Sequence, residues 1–374
     1  MFYTEMTGRG GDGFTTHLMT WSFCVAFSHY LGGRPFYLSH EVPASTPPEY
    51  ATKPEFRDRY GVLLRSPRSL VSNIVDMPAN RVFDLDRNAE NKLELQLLYS
   101  HFATTEEIRA KFGATPLWEF FSFGRVGHTL EEFRSYDLIE WTHPSCTNLA
   151  VFYWLPRQEK EDLLAASKIR FIPEIEEFVT NILQELGRFY SGHTRLGDFR
   201  KTYGSTGELD LDIDRYRKFI ALNYPDESLP IVMSTDALHE REMFEQIFSG
   251  RKLVFLDEFI FDNYRDRYLG LEWRDFNVLS VLNQLVAAAG EVFVGTYRST
   301  FTGMIHRLRQ ERHRYKDFNY FPDARVANLL NEQMKLAPDR SGFFDWNRFS
   351  YFIPDHASLA WRREWDFDLT SIDF

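Results

Sequence analysis

Cysteine is nearly absent: Cys24 and Cys146 are the only two in 374 residues, too few for a disulfide framework. Cys24 falls in an apolar helical pattern where a buried free thiol is the ordinary reading, so a reducing compartment is expected. No run of about 18 apolar residues occurs, and the opening MFYTEMTGRGG has neither a basic n-region nor an apolar h-region. The expectation is a cytoplasmic protein with no membrane span. Positive charge is also in short supply. A formal net charge of −11 speaks against a nucleic-acid partner or a polybasic membrane anchor, both of which need a positive face. The one dense basic run, Arg307, Arg309, Arg312, Arg314 and Lys316, reads as a solvated helix face with some residues turned toward a ligand.

What the chain does have is enough length and apolar content for two ordinary domains. Phe2 to Met6 reads as a strand, Gly8 to Gly13 (GRGGDG) as a Gly-rich turn, Thr15 to Leu31 as a helix and Arg34 to Leu38 as a second strand. Glu41 to Arg81 is a Pro-rich, charged excursion of the kind that forms acceptor sites. The apolar pattern breaks between Leu155 and Ala166, which sets the domain boundary. Ile172 to Leu186 is an amphipathic helix, and the strand after it delivers His193 and Arg195. ELDLDID (Glu208 to Asp214) alternates like a half-buried strand and is not read as a metal pair; Asp214 is placed as N-cap of a helix from Arg215. Strands at Leu229 to Ser234 and Lys252 to Leu256 flank a helix at Ala237 to Phe248. Strand and helix alternate repeatedly, so the class is α/β with parallel sheets.

The most informative stretch is Asn277 to Arg309. It reads as a helix to Ala289, a short strand at Glu291 to Gly295, a tight turn and a new helix. Thr296, Ser299, Thr300 and Thr302 bring hydroxyls and backbone N–H groups to that helix's N-terminus, where an anion fits. In RFYSGHTRLGDFR (Arg188 to Arg200), alternation puts His193 and Arg195 on one face at the end of a strand. A guanidinium there suits a diphosphate, because it makes a two-pronged, permanently charged contact.

HTRLGDF (His193 to Phe199), MSTD (Met233 to Asp236) and NQLVAAAGEVFVGTYRSTFTGMIHRLR (Asn283 to Arg309) occur in the order of three motifs of the GDP-fucose protein O-fucosyltransferases. The chain resembles that family and the related α1,6-fucosyltransferases over its C-terminal third to half. The resemblance implies a GT-B fold, two Rossmann-like domains facing a cleft. Residues 1–165 would form the acceptor side and residues 166–335 the sugar-nucleotide donor domain, with an aromatic tail, 336–374, packing back across both. It implies an inverting, metal-independent transfer of fucose from GDP-fucose to a hydroxyl of a protein or glycan, with no cofactor and no metal site.

By the same resemblance, Gly11, Gly13 and Phe14 belong to a first loop whose backbone approaches the donor phosphates, and Asp12 is the catalytic base. Arg195 stabilises the departing β-phosphate together with the N–H groups near Ser299, Thr300 and Phe301. His193 binds the donor beside it, and Asp198 orients the guanidinium. The departure is Asn283, where the family carries an acid that accepts the guanine N–H groups. An amide offers one acceptor oxygen, so either Asp236 takes a share of the base or the base is different. Two other readings stay open: a catalytically inactive sugar-nucleotide-binding homologue, and an NAD(P)-dependent oxidoreductase using GRGGDG as its fingerprint.

Overall fold

The computed structural model describes residues 2–4, 15, 36–38, 41–43, 76–78, 115–116, 139–141, 170–196, 213–271, 276–296, 299–311 and 317–320. The chain divides into two compact units. One comprises Met1–Pro43, Ile74–Pro173 and Glu332–Phe367; the other comprises Ala44–Asn73, Glu174–Asn331 and Asp368–Phe374.

The first unit contains strands β1 (Phe2–Thr4), β2 (Phe36–Leu38), β3 (Glu41–Pro43), β4 (Asp76–Pro78), β5 (Thr115–Pro116) and β6 (Ile139–Trp141). Four of them form a parallel sheet in the order β2-β1-β6-β5. The other two pair antiparallel, Glu41 opposite Pro78. The Pro-rich excursion is therefore closed near its two ends by a short ladder.

In the second unit the first described element is helix α1 (Pro173–Leu186). Ile175, Phe178, Val179 and Ile182 recur at helical spacing and are buried, while Glu174 and Glu176 face the positive end of the helix in its first turn. Gly187, at φ 64°, ends the helix in the left-handed conformation that favours glycine. Its N–H reaches the carbonyl of Leu183 at 3.0 Å. Then follow β7 (Tyr190–Thr194), α2 (Ile213–Asn223), β8 (Ile231–Thr235), a 3-10 turn at Leu238–Glu240 and α3 (Arg241–Ile247). The chain continues through β9 (Leu253–Phe255), α4 (Leu256–Asn263), α5 (Arg265–Gly270), α6 (Phe276–Ala287), β10 (Phe293–Thr296), α7 (Thr300–Glu311) and β11 (Asp317–Tyr320). Among the described residues no helix is long and apolar enough to cross a membrane.

The five strands lie in the order β11-β10-β7-β8-β9, every pair parallel. From β7 the chain steps outward to β8 and β9, then returns to the other side of β7 to build β10 and β11. This is the doubly wound order, and the strand sequence reverses between β7 and β10. Outside the carboxyl ends of that pair such sheets open the crevice in which ligands bind.

A strand at the centre of a parallel sheet is ordinarily a run of branched apolar residues. β7 instead reads YSGHT, and all five residues are buried. Each small or polar side chain has a steric or hydrogen-bonding reason. Ser191 Oγ donates to the carbonyl of Ala287 at the end of α6 at 2.7 Å. A Cβ on Gly192 would run into the side chain of Met233 on β8. The Tyr224 hydroxyl donates to the Ser191 carbonyl, and its ring stacks on Tyr190 at 4.6 Å.

Several expectations are corrected. Helix α2 starts at Ile213, so Asp214 lies inside its first turn, where an acid favours the helix dipole, and is not the residue before it. The helix expected over Ala237 to Phe248 is a 3-10 turn followed by α3. Helices α4 and α5 fill a region for which no element was expected. The basic run is not a solvated face at its start: Arg307 and Arg309 are 1% and 0% exposed.

Arg309 donates to the carbonyls of Ala288 (3.2 Å), Gly290 (2.5 Å) and Glu291 (3.3 Å). It thereby satisfies the end of α6 and the turn into β10. Arg309→Met keeps the apolar stem and strands those carbonyls. At about 1–3 kcal/mol for a buried group left unpaired, urea unfolding should show a loss of about 3 kcal/mol or more.

Candidate functional site at the switch point

Arg195 and Asp236 directly follow β7 and β8, Asp257 comes two residues after β9, and Ser299 three residues after β10, just before α7. Two threonines lock the part of this rim that lies at the strand reversal. Thr296 Oγ1 donates to the carbonyl of His193 (2.9 Å) and accepts the backbone N–H of Arg195 (3.0 Å). Thr302 Oγ1, in the first turn of α7, accepts the backbone N–H of Thr296 (3.1 Å) and bonds His193 Nδ1 (2.8 Å). Gly295 makes this approach possible, because a Cβ there would overlap the Thr302 side chain. These two hydroxyls were expected to face an anion; the structure commits both of them to the protein.

His193 is 5% exposed. Its ring stacks on Phe301 with centroids 4.5 Å apart. Burial, helped by the neighbouring Arg195 charge, lowers its pKa from 6.5 to about 3, so the ring is neutral at physiological pH. Arg195 Nε lies 3.8 Å from Asp236 Oδ2, and Asp236 Oδ1 accepts the N–H of Leu196 at 2.8 Å. Asp236 thus steers the guanidinium and the turn that carries it. Both side chains keep about a quarter to a third of their surface open, 30% for Arg195 and 24% for Asp236.

Ser299 precedes α7 as its N-cap, and its carbonyl accepts the N–H of Gly303 at 3.0 Å. Its hydroxyl is buried and has no hydrogen-bond partner, and the residue is 0% exposed. Buried polar atoms are seldom left so. Thr300 opens the helix and Phe301 follows, so their backbone N–H groups are among those without an intrahelical partner. A helix N-terminus, an unpaired buried hydroxyl and a guanidinium therefore share one rim, an arrangement suited to an anion. Ser234 adds to it: it pairs in register with His193 on the adjacent strand, and its buried hydroxyl is also unpartnered.

Asn283 lies in α6, a helix buried nearly all round by Val278, Leu279, Val281, Leu282, Leu285 and Val286. Its amide donates to Asp257 Oδ1 (2.7 Å) and to the Leu279 carbonyl (2.9 Å). Burial pushes the Asp257 carboxyl up to about 7 against the pull of that hydrogen bond, with the neighbouring Glu258 charge adding to the rise. Glu258 itself is paired with Arg241. The carboxyl partner of Asn283 thus stands on α4.

Gly11, Asp12, Gly13, Phe14 and Asp198 lie outside the described residues, as do Cys24, Cys146 and the aromatic tail. Among the described residues no cluster of three or more His, Cys, Asp or Glu side chains could hold a metal. Sequence reasoning missed Ser234 and Asp257. Ser234 could have been found as the hydroxyl one register step from His193; Asp257 had no local signal, since its partner is 26 residues away.

No family model and no curated protein matches this chain. Solved structures similar to it include POFUT1 in complex with GDP-fucose, at 10% identity over 86% of this chain and 97% of that one, with a TM-score of 0.46. NodZ alpha-1,6-fucosyltransferase soaked with GDP-fucose is similar at 12% identity over 82% and 92%, with a TM-score of 0.40. A mutant of Arabidopsis thaliana FUT1 in complex with GDP is similar at 9% identity over 82% and 68%, with a TM-score of 0.43.

The His193 shift has a sign that can be tested. Between pH 6.5 and about 3 the unfolded chain binds a proton on this ring that the folded chain refuses. The associated stability is complete above pH 6.5 and falls as pH drops, by about 1.4 kcal/mol per pH unit. His193→Gln cannot titrate, so its unfolding free energy should fall with acid less steeply than the wild type's by about that amount per unit.

Proposed function

We propose that this protein is an inverting, metal-independent glycosyltransferase that moves fucose from GDP-fucose to a hydroxyl of a protein or glycan. The observation that carries the reading is the convergence at the strand reversal. Residues from the HTRL and STF blocks, about a hundred positions apart, come together around His193, Phe301 and Thr302. Arg195 and the unpaired Ser299 hydroxyl stand on the same rim. That is a phosphate-binding chemistry at the place where doubly wound sheets bind nucleotides. The three motif blocks supply the identity of the sugar nucleotide.

In the reaction the acceptor oxygen forms a bond to the fucose anomeric carbon while the bond from that carbon to the β-phosphate oxygen breaks. The electron pair leaves with GDP. Arg195 and the N–H groups of Thr300 and Phe301, next to Ser299, stabilise that growing negative charge, and His193 binds the donor beside them. Removing one such preorganised contact commonly lowers the rate by about a hundredfold or more. Asp12 takes the acceptor's proton; an ordinary Asp is a weak base, so its surroundings must raise its pKa. Gly11, Gly13 and Phe14 bring backbone to the donor, and Asp198 joins Asp236 in orienting Arg195. Either Asn283 Oδ1 and Asp236 share the N–H groups of a guanine, or the base is a different one. Residues 166–335 hold the donor and residues 1–165 bring the acceptor.

Thermal unfolding against GDP, GDP-fucose, GDP-mannose, UDP, dTDP and NAD⁺, with and without EDTA, tests the donor class. Ligand at a hundred times its Kd adds about 2.7 kcal/mol, so GDP and GDP-fucose should raise Tm equally with and without EDTA. Arg195→Ala should abolish most of that rise. A response to NAD⁺ alone would overturn the reading.

Asp12→Ala should keep the GDP response and lose transfer by about a hundredfold or more. Unchanged transfer removes Asp12 from the base role. GDP binding with no transfer by the wild type on any acceptor class would favour the inactive homologue.

A further inference from the structure

The geometry assigns a role to Thr302 that no motif gives it: its hydroxyl is a positioning group that fixes His193 as the neutral tautomer protonated on Nε2. His193 is thereby a permanent hydrogen-bond donor to an oxygen of the bound ligand, and neither a proton acceptor nor a cation.

A threonine hydroxyl has one hydrogen to give and lone pairs to receive. Thr302 Oγ1 already receives the backbone N–H of Thr296 at 3.1 Å. Its remaining contact is His193 Nδ1 at 2.8 Å, and among the described residues this hydroxyl makes no further hydrogen bond. Thr302 is 0% exposed, so its own proton has Nδ1 as the one place to go. Were Nδ1 protonated, the Thr302 O–H would be a buried donor with no acceptor, which costs about 1–3 kcal/mol. Nδ1 is therefore the acceptor, and in a neutral ring the proton sits on Nε2.

Nε2–H is then what the ring has to offer, and it can bond only to an acceptor. Stacking on Phe301 holds the ring plane, and Thr302 holds its rotation. Burial, helped by the Arg195 charge, disfavours a second proton on the ring. A ligand oxygen, carried by phosphate or sugar, suits Nε2–H; a ligand amino group does not. The tautomer stands on this geometry alone, whereas identifying that oxygen with the sugar nucleotide rests on the proposed function.

The test is the ring nitrogen spectrum of full-length protein labelled with 15N-histidine, at pH 7 and without nucleotide. The chain has 11 histidines, so the His193 signals are found by difference against His193→Gln. The expected pattern is a protonated Nε2 and an unprotonated, hydrogen-bonded Nδ1. A proton on Nδ1, or the averaged pattern of a free imidazole, overturns the assignment. In Thr302→Val, Nδ1 loses its donor and the single tautomer should give way to a mixture, while Thr302→Ser should restore it. An unchanged Nε2–H pattern in Thr302→Val would show that something else sets the tautomer. If Thr302→Val does not fold, the wild-type and Thr302→Ser spectra still decide the matter. None of these outcomes depends on whether GDP binds, so this inference and the proposed function fail separately.

Discussion

The Thr302 hydroxyl is the contact on which the rest of the site depends. One oxygen holds the last residue of β10 through its N–H and the ring of His193 on β7 through Nδ1. It can do so because Gly295 has no side chain in the way. Thr296 answers from the other side, tying its own hydroxyl to the His193 carbonyl and the Arg195 N–H. At a strand reversal a crevice ordinarily opens outside the carboxyl ends of the two strands. Here their ends are tied by four hydrogen bonds, two from Thr296 and two through Thr302 in the first turn of α7.

From that constraint the electrostatics follow. A ring held in a buried socket beside a guanidinium resists a second proton, so among the described residues the site pairs a permanent cation, Arg195, with a neutral donor, His193. Asp236 balances the cation without burying it, since both side chains stay partly open. The N-terminus of α7 adds oriented N–H groups, and Ser299 a hydroxyl that the protein leaves unused. Such a set costs little reorganisation when an anion arrives, which is the property that a leaving diphosphate requires.

Much of this architecture can be read in the sequence. The helix, strand, turn and helix of Asn277 to Arg309 come out as α6, β10 and α7, because apolar periodicity and Gly295 mark them locally. His193 and Arg195 stand out for the same reason. What escapes a reading of sequence is set by contacts between distant residues. Thr296 and Thr302 look like anion ligands until α7 is folded back onto β7, when both prove to be internal ties. Arg309 looks solvated until the end of α6 needs a donor. Asp257 has no motif at all and acquires meaning when α4 and α6 bring it to Asn283. Helices α4 and α5 did have a signal, Leu256, Ile260, Phe261, Tyr264 and Tyr268 at helical spacing, interrupted where α4 ends at Asn263 and Tyr264 separates it from α5.

A crystal structure of the protein with GDP bound tests the central claim most directly. The account predicts the β-phosphate at the start of α7, within hydrogen-bond distance of the Arg195 guanidinium and the backbone N–H groups of Thr300 and Phe301. It also predicts the Ser299 hydroxyl satisfied, by the nucleotide or by a water bound with it. A nucleotide seated elsewhere, or one whose phosphates point away from the reversal between β7 and β10, would contradict it.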